Sequence, residues 1–99
     1  MPKQPLTVVA RMKARPGKEA ELQRVLLGLI VPSHADAGCI NYDLHQSLED
    51  PASFLFHENW ESKQHLDDHL QKPHLKAFLS QADQLLAEPA QITLWEKIG

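Results

Sequence analysis

The sequence predicts an α+β protein with a ferredoxin-like order, β-α-β-β-α-β, in which helices cover one face of a four-stranded antiparallel sheet. Two observations lead to this prediction. Apolar residues alternate with a period of two in four segments, and two intervening segments carry apolar residues at helical spacing, with turn residues between them. The 99 residues are enough for one hydrophobic core, so we expect a single domain over residues 1–99.

The first half of the chain predicts a strand, a helix and a second strand. Alternation over residues 6–14 indicates a half-buried strand, and the turn residues 15–18 follow it. Apolar residues then recur at i, i+3, i+4 and i+7 from Leu22 to Leu29, and we expect this helix to continue until Pro32 ends or kinks it. The second strand is predicted from Cys39 to about Ser47, with Ile40 and Tyr42 on the same side.

The second half predicts a strand, a bent helical stretch and a last strand. Residues 53–61 alternate, which puts Phe56, Glu58 and Trp60 on one side. Ser62 is a good N-cap for a short helix through residue 70, and Pro73 stops that helix. A further helical stripe covers residues 75–86, and residues 92–98 alternate again.

The sheet face without helices predicts a homodimer. Two helical segments can cover only one face of a four-stranded sheet, and Val9, Leu55 and Trp95 fall on the uncovered face. This face is too apolar for simple exposure to water, so we expect it to pack against a second copy in a dimeric α+β barrel.

Composition excludes several classes of protein. Ten Lys and Arg stand against 13 Asp and Glu, so no basic excess predicts binding to nucleic acid. The single cysteine excludes an internal disulfide and a cysteine-built metal site. No apolar run is long enough for a signal peptide or a membrane span, so we expect a cytoplasmic protein without a membrane partner.

The candidate site residues lie on the second and third strands and the following helix. Glu58 on an apolar strand face is costly to bury without a partner, which makes it an acid–base candidate together with His69. Further side chains are predicted to shape a cavity between sheet and helices, namely Tyr42, Phe56, Trp60 and His65. Core packing explains Tyr42 and Trp60 equally well.

Metal and cofactor sites are not expected. His65 and His69 are four residues apart, a spacing that can bind a metal on a helix, but Leu66 stands where a metalloprotease HExxH motif has its glutamate. No third ligand is evident, and the glycine-rich motifs of nucleotide cofactors are missing from the sequence.

The sequence resembles the antibiotic biosynthesis monooxygenase (ABM) family, and within it the small bacterial quinol monooxygenases. The resemblance spans about residues 6–98 and is carried by ENWES at 58–62, HLDDHL at 65–70 and PHLKAF at 73–78. It implies a dimeric barrel and cofactor-free oxygenation of phenols or quinols, with Trp60 and His69 matching the recurrent Trp and His of the family. Phe56 and Leu66 replace the Asn and Tyr of members that oxidise polyketide phenols.

Two functional hypotheses follow. The first is a monooxygenase that oxidises a small phenol, quinol or related aromatic with O2, with His69 as the base, Glu58 orienting it, and no cofactor. The second is an isomerase-type enzyme or a non-catalytic small-molecule binding protein on the same fold. An isomerase works without O2, and a binding protein is stabilised by its ligand without turnover.

Overall fold

The computed structural model describes residues 5–99, which form a four-stranded sheet and four helices. The strands are β1 (Leu6–Lys13), β2 (Cys39–Gln46), β3 (Ser53–Trp60) and β4 (Gln91–Glu96). The helices are α1 (Glu19–Leu27), α2 (Ile30–His34), α3 (Lys63–Leu70) and α4 (Pro73–Leu85).

The sheet has the strand order β2-β3-β1-β4, and all three pairings are antiparallel. Glu58 on β3 lies between Val8 on β1 and Tyr42 on β2, and all three side chains are buried on the helix-covered face. The predicted ferredoxin-like α+β fold is therefore confirmed, and the period-two alternation assigned the covered face of β3 correctly.

One predicted strand face is wrong at Ile40. The pairing of β2 with β3 shifts between Cys39 and Asn41, so that Cys39 lies opposite Trp60 while Tyr42 lies opposite Glu58. An extra residue in one strand breaks the alternation, and Ile40 is therefore 49% exposed instead of sharing the buried side of Tyr42.

The first helical stretch also ends earlier than predicted. The structure divides it at Gly28 into α1 and α2, and Pro32 lies inside α2 rather than ending the helix. Glycine costs about 1 kcal/mol relative to alanine inside a helix and so favours its end. Pro32 is the third residue of α2, within the first turn, where backbone N–H groups have no intrahelical partner to lose.

The second helical stretch is interrupted as predicted. The Ser62 side chain caps α3 by accepting a hydrogen bond from the His65 backbone N–H at 3.3 Å. α3 ends at Leu70, and Pro73 begins α4 at a position where proline is favoured. His69 and His74 therefore belong to two different helices.

The core lies between the covered face of the sheet and the four helices. Its most completely buried apolar side chains are Trp60, Leu22, Leu26 and Val8. Within residues 5–99, no helix is long and apolar enough to cross a membrane.

The β4 edge leaves apolar surface exposed on both faces of the sheet. Ile92 and Leu94, on the helix side, are 47% and 45% exposed, and Trp95, on the other side, is 57% exposed. Val9 and Leu55 on the uncovered face are half-buried. Exposed apolar residues grouped on one strand are typical of an interaction surface.

Candidate functional site

A cavity of about 250 Å³ lies between the sheet and helices α3 and α4. Most of its lining is apolar, including Val8, Met12, Phe56, Leu66, Leu75 and Phe78. Three buried polar residues also line it, namely Tyr42, Glu58 and His69. An apolar cavity with few polar groups is the usual form of a small-molecule site.

A larger concavity of about 360 Å³ lies at the far end of the sheet. Arg11, Lys13, His45 and Glu88 line it, and all four are exposed. None of these four side chains is buried, and this concavity lacks the enclosed apolar lining that is usual for a small-molecule site.

His69 is held at the cavity wall by a carboxylate from outside the cavity. Its side chain is 1% exposed, and its Nδ1 lies 2.7 Å from Oδ2 of Asp36. Within the part of the chain that the structure describes, the other ring nitrogen, Nε2, makes no hydrogen bond. His69 thus has one nitrogen engaged and one available.

The same oxygen of Asp36 also binds a second imidazole. Nε2 of His74 lies 3.0 Å from Asp36 Oδ2, and the His69 and His74 ring centroids are 5.8 Å apart. Asp36 was not singled out from the sequence, and His74 stood out only as one of several histidines after the third strand. A signal existed for Asp36, because the antiparallel pairing of β2 with β3 puts the loop before Cys39 beside the start of α3.

The environment keeps His69 neutral. Burial lowers the pKa of His69 below its ordinary value, and this effect outweighs the opposing hydrogen bond and charge of Asp36. A neutral imidazole with one nitrogen outside any hydrogen bond can accept a proton, which is the property required of a general base.

Glu58 is the second titratable group in the cavity wall. Its side chain is 4% exposed, and Trp60 Nε1–H donates to Oε1 at 2.8 Å. Burial raises the pKa of Glu58 to about 7, although the hydrogen bond from Trp60 acts in the opposite direction. Glu58 is therefore poised between its acid and its carboxylate near neutral pH.

Tyr42 contributes an aromatic ring and a protonated phenol. Its ring centroid lies 4.4 Å from that of Phe56 and 5.4 Å from that of His69. Burial, with a smaller effect of the Glu58 charge, raises the pKa of Tyr42 well above its ordinary value. Tyr42 can therefore act as a hydrogen-bond donor but not as a base at neutral pH.

The structure brings four of the six predicted site residues onto one cavity. His69, Glu58, Tyr42 and Phe56 line it, and Trp60 lies directly behind them, with its ring centroid 4.5 Å from that of His69.

His65, the sixth predicted residue, lies away from the cavity lining. Its Nδ1 is 2.8 Å from Ser62 Oγ, and its ring lies against Gly38, where an added Cβ would come within 2.2 Å of Cγ. His65 therefore belongs to the contact between the loop before β2 and α3.

Asp36, His69 and His74 bring three atoms of the kind that ligate metals close together. One atom each from Asp36, His69 and His74 lies within 4.8 Å of the others, and the described residues contain no other such group. The two nitrogen–oxygen distances of 2.7 and 3.0 Å are those of hydrogen bonds, so N–H donation to one carboxylate oxygen accounts for the convergence. The His65–His69 pair considered from the sequence does not take part.

Comparison with known proteins identifies the family. The model of the family described as "Antibiotic biosynthesis monooxygenase" matches residues 5–81. The chain belongs to the antibiotic biosynthesis monooxygenase family. The resemblance carried by the segments at 58–62, 65–70 and 73–78 is thus confirmed.

Individual proteins and solved structures match most of the chain. The chain is 34% identical to protein sll1783 of Synechocystis over 93% of its own length, but it spans only 63% of that relative. It is 39% identical to "Probable quinol monooxygenase YgiN" of Escherichia coli, over 74% of this chain and 80% of that one. The crystal structure of PA3566 from Pseudomonas aeruginosa matches with a TM-score of 0.94 and 33% identity, covering 100% of this chain and 99% of that one.

Proposed function

We propose that this ABM protein is a cofactor-independent monooxygenase that oxidises a small phenol, quinol or related aromatic with O2. The observation that carries the proposal is a buried imidazole, His69, which lines an apolar cavity and whose Nδ1 alone is engaged by Asp36 among the described residues. The name of the YgiN relative, a quinol monooxygenase, supports the same class of substrate.

The first step is removal of a phenolic proton. Nε2 of His69 accepts the proton, and the low-polarity lining favours transfer to a close neutral base over release of a free ion. The resulting anion is electron-rich, so it can transfer one electron to O2 and give a substrate radical and superoxide. The protein supplies the base and the cavity, and the substrate supplies the electrons.

The remaining steps balance for a quinol. The radical and superoxide join at a ring carbon, and the protonated His69 returns its proton to give a hydroperoxide. Loss of water from the hydroperoxide leaves a carbonyl at that carbon. One quinol and one O2 thus give one hydroxyquinone and one water, with four electrons passing from the substrate to O2.

Glu58 and Tyr42 are proposed to hold the reacting oxygens. In its acid form Glu58 donates a hydrogen bond, and the Tyr42 phenol stays protonated, so both can stabilise negative charge that develops in the cavity. Trp60 and Phe56 shape the cavity from behind and from its side. The sequence suggested that Glu58 orients His69. We propose instead that Asp36 does so, because the Asp36 carboxylate is hydrogen-bonded to the His69 ring.

An isomerase-type activity is the second candidate. His69 and Glu58 are a base and an acid that line one cavity, and such a pair can move a proton between two atoms of a small oxygenated metabolite. This reaction consumes no O2.

We also propose that the protein is a homodimer. The exposed Trp95 of β4 lies on the same sheet face as the half-buried Val9 and Leu55, and Ile92 and Leu94 continue the exposed apolar surface around the β4 edge. Packing against a second copy would bury this surface and complete a barrel.

Oxygen uptake with a panel of reduced naphthoquinones and simple phenols tests the monooxygenase. We expect uptake above the autoxidation rate of the buffer, loss of the excess in His69→Ala, and no loss in His34→Ala, which removes an exposed imidazole. Uptake at the buffer rate, or unchanged uptake in His69→Ala, would refute the proposal. Turnover that continues without O2 would identify the isomerase, and inhibition by a chelator would identify a metal enzyme.

A further inference from the structure

We propose that Asp36 and His74 are positioning residues that hold His69 in the tautomer with its proton on Nδ1 and its basic nitrogen, Nε2, in the cavity. The catalytic consequence rests on the proposed function, in which Nε2 takes the substrate proton. The tautomer itself is a property of the free protein.

The hydrogen bonds determine where the protons lie. Asp36 Oδ2 has nitrogens of His69 and His74 at 2.7 and 3.0 Å, and an ionised carboxylate can only accept. Both nitrogens must then be donors. His69 is neutral because of its burial, so a proton on Nδ1 leaves Nε2 without one.

Burial of the three side chains disfavours the other tautomer of His69. The side chains of His69, Asp36 and His74 are 1%, 9% and 19% exposed, so the three groups lead from the interior towards the surface. If His69 took the other tautomer, its Nδ1 lone pair would face the carboxylate oxygen and lose a buried hydrogen bond. Leaving a buried acceptor unsatisfied typically costs about 1–3 kcal/mol.

The backbone fixes Asp36 beside α3. The Asp36 N–H donates to the Ser33 carbonyl at 3.1 Å, and its carbonyl accepts from the Cys39 N–H at 3.2 Å. Gly38, with φ +81°, then turns the chain, and its carbonyl accepts from the Glu61 N–H at 2.9 Å. The loop is thus tied both to α2 and to the end of β3.

Within residues 5–99, four titratable residues besides Asp36 lie in the two pockets that His69 lines. Tyr42 from β2 and Glu58 from β3 line the same cavity as His69, and Asp68 and Lys72 border the outer pocket beside Asp36. Among the residues that the structure describes, only Asp36 forms a hydrogen bond with the His69 ring.

The role of His74 differs from that of Asp36. By donating to the same oxygen, His74 holds that carboxylate in place beside His69, and the positive charge of a protonated His74 lowers the pKa of His69. His74→Gln offers an amide N–H at a similar reach without a titratable charge, whereas His74→Leu offers no donor.

The tautomer can be measured by NMR on the 15N-histidine-labelled protein without any substrate. For the wild type we expect a protonated Nδ1 and an unprotonated Nε2 on His69. Asp36→Asn keeps the size of the side chain but removes the charge that requires an N–H donor, so the fraction of His69 protonated at Nε2 should rise. His74→Gln should keep the wild-type tautomer, and His74→Leu should shift it in part.

Activity provides the second readout. Asp36→Asn should lower kcat on the order of 10²–10⁴-fold with a much smaller change in KM, because the base presents the wrong nitrogen. His74→Gln should retain most of kcat and should change the acidic limb of the pH profile, which a merely structural role would not move.

The outcomes separate this inference from the proposed function. A wild-type His69 protonated at Nε2, or an Asp36→Asn protein with the wild-type tautomer, would overturn the inference whether or not the protein consumes O2. If Asp36→Asn fails to fold, the comparison of His74→Gln with His74→Leu still decides, since equal tautomers in the two variants would overturn the role of His74. Absence of O2 uptake together with the expected tautomers would refute only the monooxygenase.

Discussion

Trp60 donates its indole N–H to the Glu58 carboxylate at 2.8 Å, between two residues that lie two positions apart on β3. Alternate residues of a strand point to the same face, so the sequence places donor and acceptor together without help from any other element. The bond satisfies one oxygen of a buried acid and holds its carboxyl beside the cavity. Trp60 therefore positions the Glu58 carboxyl group by its hydrogen bond and also packs behind the cavity.

Replacing Glu58 by Gln should change how stability depends on pH. The pKa of Glu58 is about 7 in the folded protein against 4.5 in the reference state, so the unfolded chain releases this proton first as pH rises. Folding stability therefore falls between about pH 4.5 and 7, by about 3 kcal/mol in total. Glu58→Gln stays neutral and can still accept from Trp60, so it should be the more stable protein at pH 8.

Urea unfolding at a series of pH values measures this difference. Subtracting the two curves removes the contributions of His69 and of the other groups that both proteins share. Glu61→Gln, at an exposed glutamate three residues further on, is the matched control and should parallel the wild type. A Glu58→Gln curve that parallels the wild type from pH 5 to 8 would contradict the assigned pKa.

Trp60→Phe should raise the pKa of Glu58 further. The indole N–H stabilises the carboxylate form, so its loss favours the protonated acid and leaves a buried oxygen without a donor. We expect a stability loss of at least about 1–3 kcal/mol. Trp95→Phe also removes an indole hydrogen bond, at 2.8 Å, but its acceptor is the Thr93 hydroxyl and not a buried carboxyl group. Equal losses in the two variants would argue against a special role of the Trp60–Glu58 bond.

Two glycines form a matched pair for testing the loop that carries Asp36. Gly38 and Gly17 have φ of +81° and +85°, so alanine is strained at both by about 1–2 kcal/mol. A Cβ at Gly17 meets nothing within 4 Å, whereas one at Gly38 would collide with the His65 ring.

Gly38→Ala should therefore destabilise the protein by about 1–3 kcal/mol more than Gly17→Ala does, as measured by urea unfolding. Adding His65→Ala should remove most of that excess. If the two alanine variants were equally stable, the packing of His65 on Gly38 would not restrain the loop.

Trp95→Lys should convert the proposed dimer to monomers, because the charge would have to be buried in the interface. Sedimentation equilibrium at micromolar concentration distinguishes the two masses. Leu48→Lys, at a fully exposed side chain in the turn between β2 and β3, is the control and should remain dimeric. A wild-type mass of one chain would rule the dimer out.

Local patterns in the sequence predicted the parts of the site that belong to single elements. Alternation along β3 put Phe56, Glu58 and Trp60 on the covered face, and the structure buries all three there. The Ser62 cap and the helix break at Pro73 were predicted because each depends only on residues that are close in the sequence.

The parts that depend on distant or irregular features were not predicted. Asp36 lies 33 residues before His69, in a loop without periodicity, so no local pattern connects them. The bulge at Ile40 depends on the pairing of two strands, and alternation alone cannot reveal it. α1 ends early because Gly28 disfavours the helix, whereas the apolar stripe continues through this residue and predicted a longer helix.

The interruption between α3 and α4 has a geometrical consequence for the two histidines that share Asp36. Five residues along an uninterrupted helix correspond to a rotation of about 500°, which leaves the two side chains about 140° apart around the axis. Imidazoles so arranged could not both reach one oxygen atom. Residues 71–72 therefore change the direction of the chain between α3 and α4, which lets both imidazoles reach Asp36. An insertion or deletion at these residues would separate His69 and His74 from Asp36 while leaving each helix intact.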